Sequence, residues 1–133
     1  MDDDASGAAA TGSCLCGSVR YRVNGPLRDV IMCHCVFCRR ASTHVGAYSA
    51  CAVADLDVQA TRTLRWYRSS PGARRGFCSK CGSMLFWEPT PPTHISIAAG
   101  SLNAPTGLVI SEQIFCAQKG DYYAIDPAIP CRD

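Results

Sequence analysis

The chain has 133 residues, 47% hydrophobic and 18% charged, with a formal net charge of +2. That length holds one ordinary domain and a real core, and the composition excludes a disordered chain. The small net charge excludes a general polyanion-binding protein, and the lack of a run of about 18 apolar residues excludes a spanning helix.

Residues 1–12 are mostly Asp, Ala, Gly, Ser and Thr, with little to bury, and read as a disordered tail before one domain over residues 13–133. The start is acidic and shows neither a basic n-region nor an apolar h-region, so it carries no secretory signal and implies a cytoplasmic protein. From Ser18 to Val23 the pattern alternates, with Val19, Tyr21 and Val23 on one face and Arg20 and Arg22 on the other, which predicts a half-buried strand. Asn24-Gly25-Pro26 ends it. Val30-Ile31-Met32 is a short apolar run, and residues 36–42 can form one helical turn. Val45–Cys51, Leu64–Tyr67, Met84–Trp87, His94–Ala98, Gln113–Cys116 and Tyr122–Ile125 are strand-like. Ser69–Gly72 and Ser101–Pro105 are turns, and Pro89, Pro91 and Pro92 break the chain. Many short strands between Gly and Pro indicate a β-rich, irregular domain.

Ten cysteines dominate the sequence. An even count is compatible with five disulfides. The missing signal and the clustering favour metal: Cys14-x-Cys16, Cys33-x-Cys35-x-x-Cys38 and Cys78-x-x-Cys81 bridge one another poorly but ligate an ion well. In Cys78-x-x-Cys81-Gly82 both sulfurs can reach one cation, and the glycine supplies a positive φ. Cys14-Leu15-Cys16-Gly17 offers a second pair, also followed by glycine. Together the pairs complete a closed Cys₄ shell for zinc, whose binding offsets the closure of a long loop. The competing readings are two unrelated buried pairs or a redox CxxC, and the latter lacks a βαβ setting.

Cys33, Cys35 and Cys38 give three ligands and leave a fourth position open, the arrangement of catalytic zinc. His34 sits between two cysteines, so its side chain is expected to point away from the ion they share. Arg39 and Arg40 follow and could dock a carboxylate, or form a solvated basic surface that balances thiolate charge. Seven thiolates around two zinc ions bring the net charge to about −1, which again disfavours nucleic acid. Thiolate ligands also suit iron. Cys51, Cys116 and Cys131 have no close partners and read as core cysteines. His44 and His94 read as structural, with His44 a weaker candidate for moving a proton. Trp66, Trp87 and Tyr122-Tyr123 read as core or pocket wall.

Gly12-Ser13-Cys14-Leu15-Cys16-Gly17-Ser18-Val19-Arg20-Tyr21, Cys33-His34-Cys35-x-x-Cys38-Arg39-Arg40, Gly76-Phe77-Cys78-x-x-Cys81-Gly82-Ser83-x-Leu85-Phe86 and Lys119-Gly120-Asp121-Tyr122-Tyr123 resemble the glutathione-dependent formaldehyde-activating enzyme family, which shares its domain with centromere protein V. The resemblance spans about Gly12 to Pro127. It implies a mainly β, Mss4-like zinc-containing domain of short antiparallel sheets with irregular loops. It implies two zinc ions, one structural on Cys14, Cys16, Cys78 and Cys81, and one catalytic on Cys33, Cys35 and Cys38. The implied activity is a carbon–sulfur lyase that reversibly joins formaldehyde and glutathione. The chain departs from the family at Ala41–Tyr48, where a small-residue stretch ending in Phe is common, and at Gln113, where many members carry His. The alternative is a non-catalytic, zinc-stabilised module of the same fold that binds a protein partner.

Overall fold

A computed structural model describes residues 9–133. Ten short strands and one short helix follow in chain order: β1 (Ala10–Ser13), β2 (Arg20–Val23), β3 (Val30–Cys33), α1 (Val36–Ala41), β4 (Gly46–Cys51), β5 (Leu56–Ala60), β6 (Leu64–Ser70), β7 (Ala73–Cys78), β8 (Met84–Pro89), β9 (Ile95–Ala98) and β10 (Ile110–Ile114). β1-β2-β5 form a small antiparallel sheet, and a larger sheet runs β10-β3-β4-β9-β8-β7-β6. Each neighbouring pair is antiparallel except β10 and β3, which run parallel.

The alternation read over Val19–Val23 is present: Val19, Tyr21 and Val23 are buried, and Arg20 and Arg22 are exposed. These three pack against Cys51, Leu85, Phe86, Ile95 and Ile97 of the large sheet, with Cys14 and Cys78 in the same cluster. Two adjacent residues, Leu85 and Phe86, both reach this core because the β7–β8 register slips there: Gly76 pairs with Phe86 and Phe77 with Met84. The extra residue of such a bulge turns a second side chain inward.

The opposite face of the large sheet carries Tyr48, Arg75, Trp87 and Ser96, which line a cleft. One sheet therefore separates the main core from the cleft, with side chains assigned by the two-residue period.

Four expectations change. Of the tail expected over residues 1–12, residues 1–8 lie outside the described residues, and β1 begins at Ala10. This strand pairs with β2, and Gly12 lies so close to the Tyr21 phenol that a Cβ there would overlap it. Pro89 does not break the chain but ends β8. The strand near Gln113 spans Ile110–Ile114; Phe115 (φ 54°) stops it in the left-handed region, and Cys116 opens a short 3₁₀ turn. No strand forms at Tyr122–Ile125. The two tyrosines there take their hydroxyl partners from His44 and His34 instead.

Candidate functional site

The first cysteine cluster joins the turn after β1 to the β7–β8 turn. The sulfurs of Cys14, Cys16, Cys78 and Cys81 all lie within 4.8 Å of one another. Cys16 Sγ is 3.7 Å from Cys14 Sγ and 3.8 Å from Cys78 Sγ. A tetrahedral zinc with Zn–S near 2.3 Å sets its sulfurs about 3.8 Å apart, and a disulfide sets them about 2 Å apart. The donor set thus fits a four-coordinate ion. Gly17 and Gly82 follow the two pairs with φ of 80° and 79°, a conformation that lets each turn close behind its sulfurs.

Hydroxyls surround these sulfurs. Ser18 Oγ is 3.3 Å from Cys16 Sγ, Thr63 Oγ1 is 3.3 Å from Cys78 Sγ, and Ser83 Oγ is 3.1 Å from Cys81 Sγ. The Val19 N–H donates to Cys14 Sγ at 3.3 Å. The Ser83 hydroxyl draws the Cys81 thiol down to about 5, and Thr63 lowers that of Cys78, whereas burial raises that of Cys14.

The second cluster sits where β3 runs into α1. Cys33 ends β3, Cys35 caps α1, and Cys38 lies one turn in, with all three sulfurs within 4.8 Å of one another. Cys35 Sγ accepts from the Cys38 N–H at 3.3 Å. Gly46, across from Cys33 on β4, leaves room for the Cys38 sulfur, since a Cβ there would come 3.0 Å from it. Hydrogen bonding from Cys33, aided by the Arg75 guanidinium, holds the Cys38 thiol down to about 6, and the same contact pushes Cys33 up. Among the described residues these are the two cysteine groups that could hold a metal ion.

The second cluster opens onto a cleft of about 400 Å³ lined by all three of its cysteines. Ile31, Tyr48, Trp87 and Ile114 form apolar walls, with Phe37 and Phe115 partly exposed along them. Arg28 and Arg75 are its cations, and among the described residues no Asp or Glu lines it. That volume and lining suit a small organic ligand carrying negative charge.

The other expected residues fall as follows. His34 is buried and turned away from the sulfurs: its Nε2 donates to Gln113 Oε1 at 2.8 Å, and its Nδ1 pairs with the Tyr123 hydroxyl at 2.5 Å. Gln113 thus fixes the orientation of His34. Arg39 and Arg40 do not line the cleft. An α-helix turns about 100° per residue, so the positions after Cys38 swing away from the face it presents. The arginines that line the cleft are Arg28 and Arg75, which sequence reasoning did not single out. His94 and Trp87 line the cleft, and His44 instead pairs with the Tyr122 hydroxyl at 2.6 Å. Cys51 is a core cysteine, as expected. Cys116 and Cys131 are not core thiols but a disulfide. They meet because the C-terminal segment returns along β10: Gln113 N–H donates to Pro130 O at 2.8 Å, and Cys116 N–H to Arg132 O at 3.0 Å.

The family model of the glutathione-dependent formaldehyde-activating enzymes matches residues 9–118. The chain belongs to that family. The crystal structure of a Rhodobacter sphaeroides protein is similar to it, with a TM-score of 0.62 and 21% identity, covering 91% of this chain and 98% of that one. This second likeness speaks for the fold alone. No curated protein matches the chain. Among the described residues no helix is long and apolar enough to cross a membrane.

Proposed function

We propose that the protein is a zinc-dependent carbon–sulfur lyase that reversibly adds a small thiol to an aldehyde, with glutathione and formaldehyde as the pair named by its family. The observation that carries this reading is the three-cysteine cluster opening onto the cleft, beside a four-cysteine cluster that closes on itself. In the forward direction the thiol sulfur bonds to the carbonyl carbon, and the thiol proton ends on the carbonyl oxygen. The reverse step breaks that C–S bond and returns the proton to sulfur.

Zinc held by Cys33, Cys35 and Cys38 would supply the positive charge that favours thiolate over thiol at neutral pH. The chain's own residues do the rest. Arg28, at the cleft edge, is placed to anchor a carboxylate of the thiol peptide. Trp87, Ile31 and Ile114 exclude water around the reacting atoms. Tyr48 faces the cleft, and burial raises its phenol, so it stays protonated at neutral pH and can pass a proton to the developing alkoxide.

Exchange between free glutathione and its hydroxymethyl adduct, followed by two-dimensional NMR in formaldehyde, tests the reading. The zinc-loaded protein should speed exchange well above the spontaneous rate. Cys35→Ser should return it to that rate while circular dichroism stays native. A fully metallated wild-type protein that leaves the rate unchanged would overturn the assignment.

A further inference from the structure

Arg74 and Arg75 are neighbours in β7 with opposite surroundings. Arg74 has a conventional set of partners: its Nε is 2.8 Å from Glu88 Oε1, and its guanidinium lies 3.9 Å over the Trp66 ring. Arg75 faces the cleft and is only 6% exposed. Its Nη1 donates to the Tyr48 hydroxyl at 3.3 Å and its Nη2 to Cys38 Sγ at 3.8 Å, while its Nε is buried with no partner. Among the described residues the side chain makes no salt bridge, and no acidic residue lines the cleft it faces. A guanidinium keeps its proton in any protein setting, and a buried charge without a counter-ion is strongly destabilising. With a metal bound, the Cys38 sulfur is a thiolate and puts negative charge within reach of Arg75.

We propose that Arg75 is the fixed counter-charge of the three-cysteine centre and makes that centre selective for an anionic sulfur ligand over a neutral one. This rests on the reading that the centre holds a divalent metal. Three thiolates and a divalent ion carry a net charge of about −1, and a thiolate arriving as fourth ligand takes the centre to about −2. With Arg75 included, the same arrival takes it only from about neutral to about −1. Arg75 is held in place by Tyr48 before any ligand enters, so no rearrangement is needed when charge arrives. It acts through Cys38 and the local field, as a positioning residue.

The test uses the full chain loaded with Co²⁺. The four-cysteine centre has no free position, so changes in the visible spectrum on adding ligand report the three-cysteine centre. Wild type, Arg75→Met and Arg75→Lys are titrated separately with 2-mercaptoethanol, which binds as thiolate, and with imidazole, which binds neutral. Removing the charge should weaken thiolate binding on the order of tenfold and leave imidazole binding within about twofold. Arg75→Lys should restore most of the thiolate affinity. Unchanged thiolate affinity in Arg75→Met, or equal loss for both ligands, overturns the proposal. If Arg75→Met does not fold, Arg75→Gln takes its place. If neither folds, wild type decides, because imidazole binding as tightly as the thiolate also overturns it. The readout uses neither formaldehyde nor turnover: a protein inert as a lyase that still prefers thiolate leaves this inference standing and removes only the lyase reading.

Discussion

The two cysteine clusters use the same ligand atom and differ in everything around it. At Cys14, Cys16, Cys78 and Cys81 the sulfurs complete a shell among themselves, their side-chain neighbours are the hydroxyls of Ser18, Thr63 and Ser83, and two of the four belong to the main core. At Cys33, Cys35 and Cys38 the shell is one ligand short, the fixed neighbour is a guanidinium, and the sulfurs line a cleft. Coordination chemistry alone does not separate a structural centre from a reactive one. Whether the last ligand comes from the chain or from solution, and whether charge is met by neutral donors or by a cation, separates them.

Swapping one sulfur for oxygen in each cluster attacks this contrast most directly. Cys78 is fully buried in the main core. A structural zinc contributes on the order of 10 kcal/mol, comparable with the whole stability of a domain. Cys78→Ser should therefore lose both metal and cooperative folding. Cys35→Ser should lose one metal per chain and keep a sharp thermal transition. Metal analysis and melting curves on the two variants check this. Should Cys35→Ser unfold like Cys78→Ser, the three-cysteine cluster is structural too and the contrast is lost.

Both clusters were legible because metal ligands come at short, fixed spacings that survive without any knowledge of the fold. The Val19–Val23 strand was legible from its two-residue period. β1 was not, since Ala10-Thr11-Gly12-Ser13 has almost no apolar pattern, and its order comes from pairing with β2 and from Gly12 admitting the Tyr21 ring. Tyr122-Tyr123 looked like strand because aromatic residues favour strands, yet their hydroxyls bond to histidines distant in sequence. Arg75 was hidden because Arg74-Arg75 look identical as letters. Only the side-chain alternation of β7 sends one to Glu88 and the other to Cys38. The Cys116–Cys131 bond has no local motif and depends on where the C-terminal segment returns.

That disulfide offers a smaller effect confined to one side of the comparison. It closes a separation of 15 residues, for which loop entropy gives about 3 kcal/mol. It ties the C-terminal segment to Gln113, which in turn holds His34 between Cys33 and Cys35. Cys131→Ser should lower stability by up to about 3 kcal/mol in a denaturant melt. It should also speed loss of the three-cysteine metal to a chelator and leave the four-cysteine metal unmoved. Equal acceleration at both centres would mean that the segment supports the whole fold rather than the open site.

The smallest effect probes the core beneath the four-cysteine centre. Tyr21 is buried in the cluster that contains Cys14 and Cys78, and its hydroxyl lies 2.6 Å from Ser101 Oγ. At neutral pH Tyr21→Phe forfeits that hydrogen bond and should cost about 1 kcal/mol. Burial pushes the phenol from its ordinary 10 up to about 12. Below pH 10 the native and unfolded chains both keep the proton, and the contribution of Tyr21 is complete. Between pH 10 and 12 the unfolded chain releases the proton while the native chain holds it, so the native state binds more protons and stability falls as pH rises. Phenylalanine has no such proton. The stability difference between wild type and Tyr21→Phe, read by thermal melts of the zinc-loaded proteins, should therefore shrink from pH 10 upward. A difference that stays constant through that range would mean that Tyr21 ionises in the native state as easily as in water, and that the core under the closed centre is wetter than the burial of Tyr21 implies.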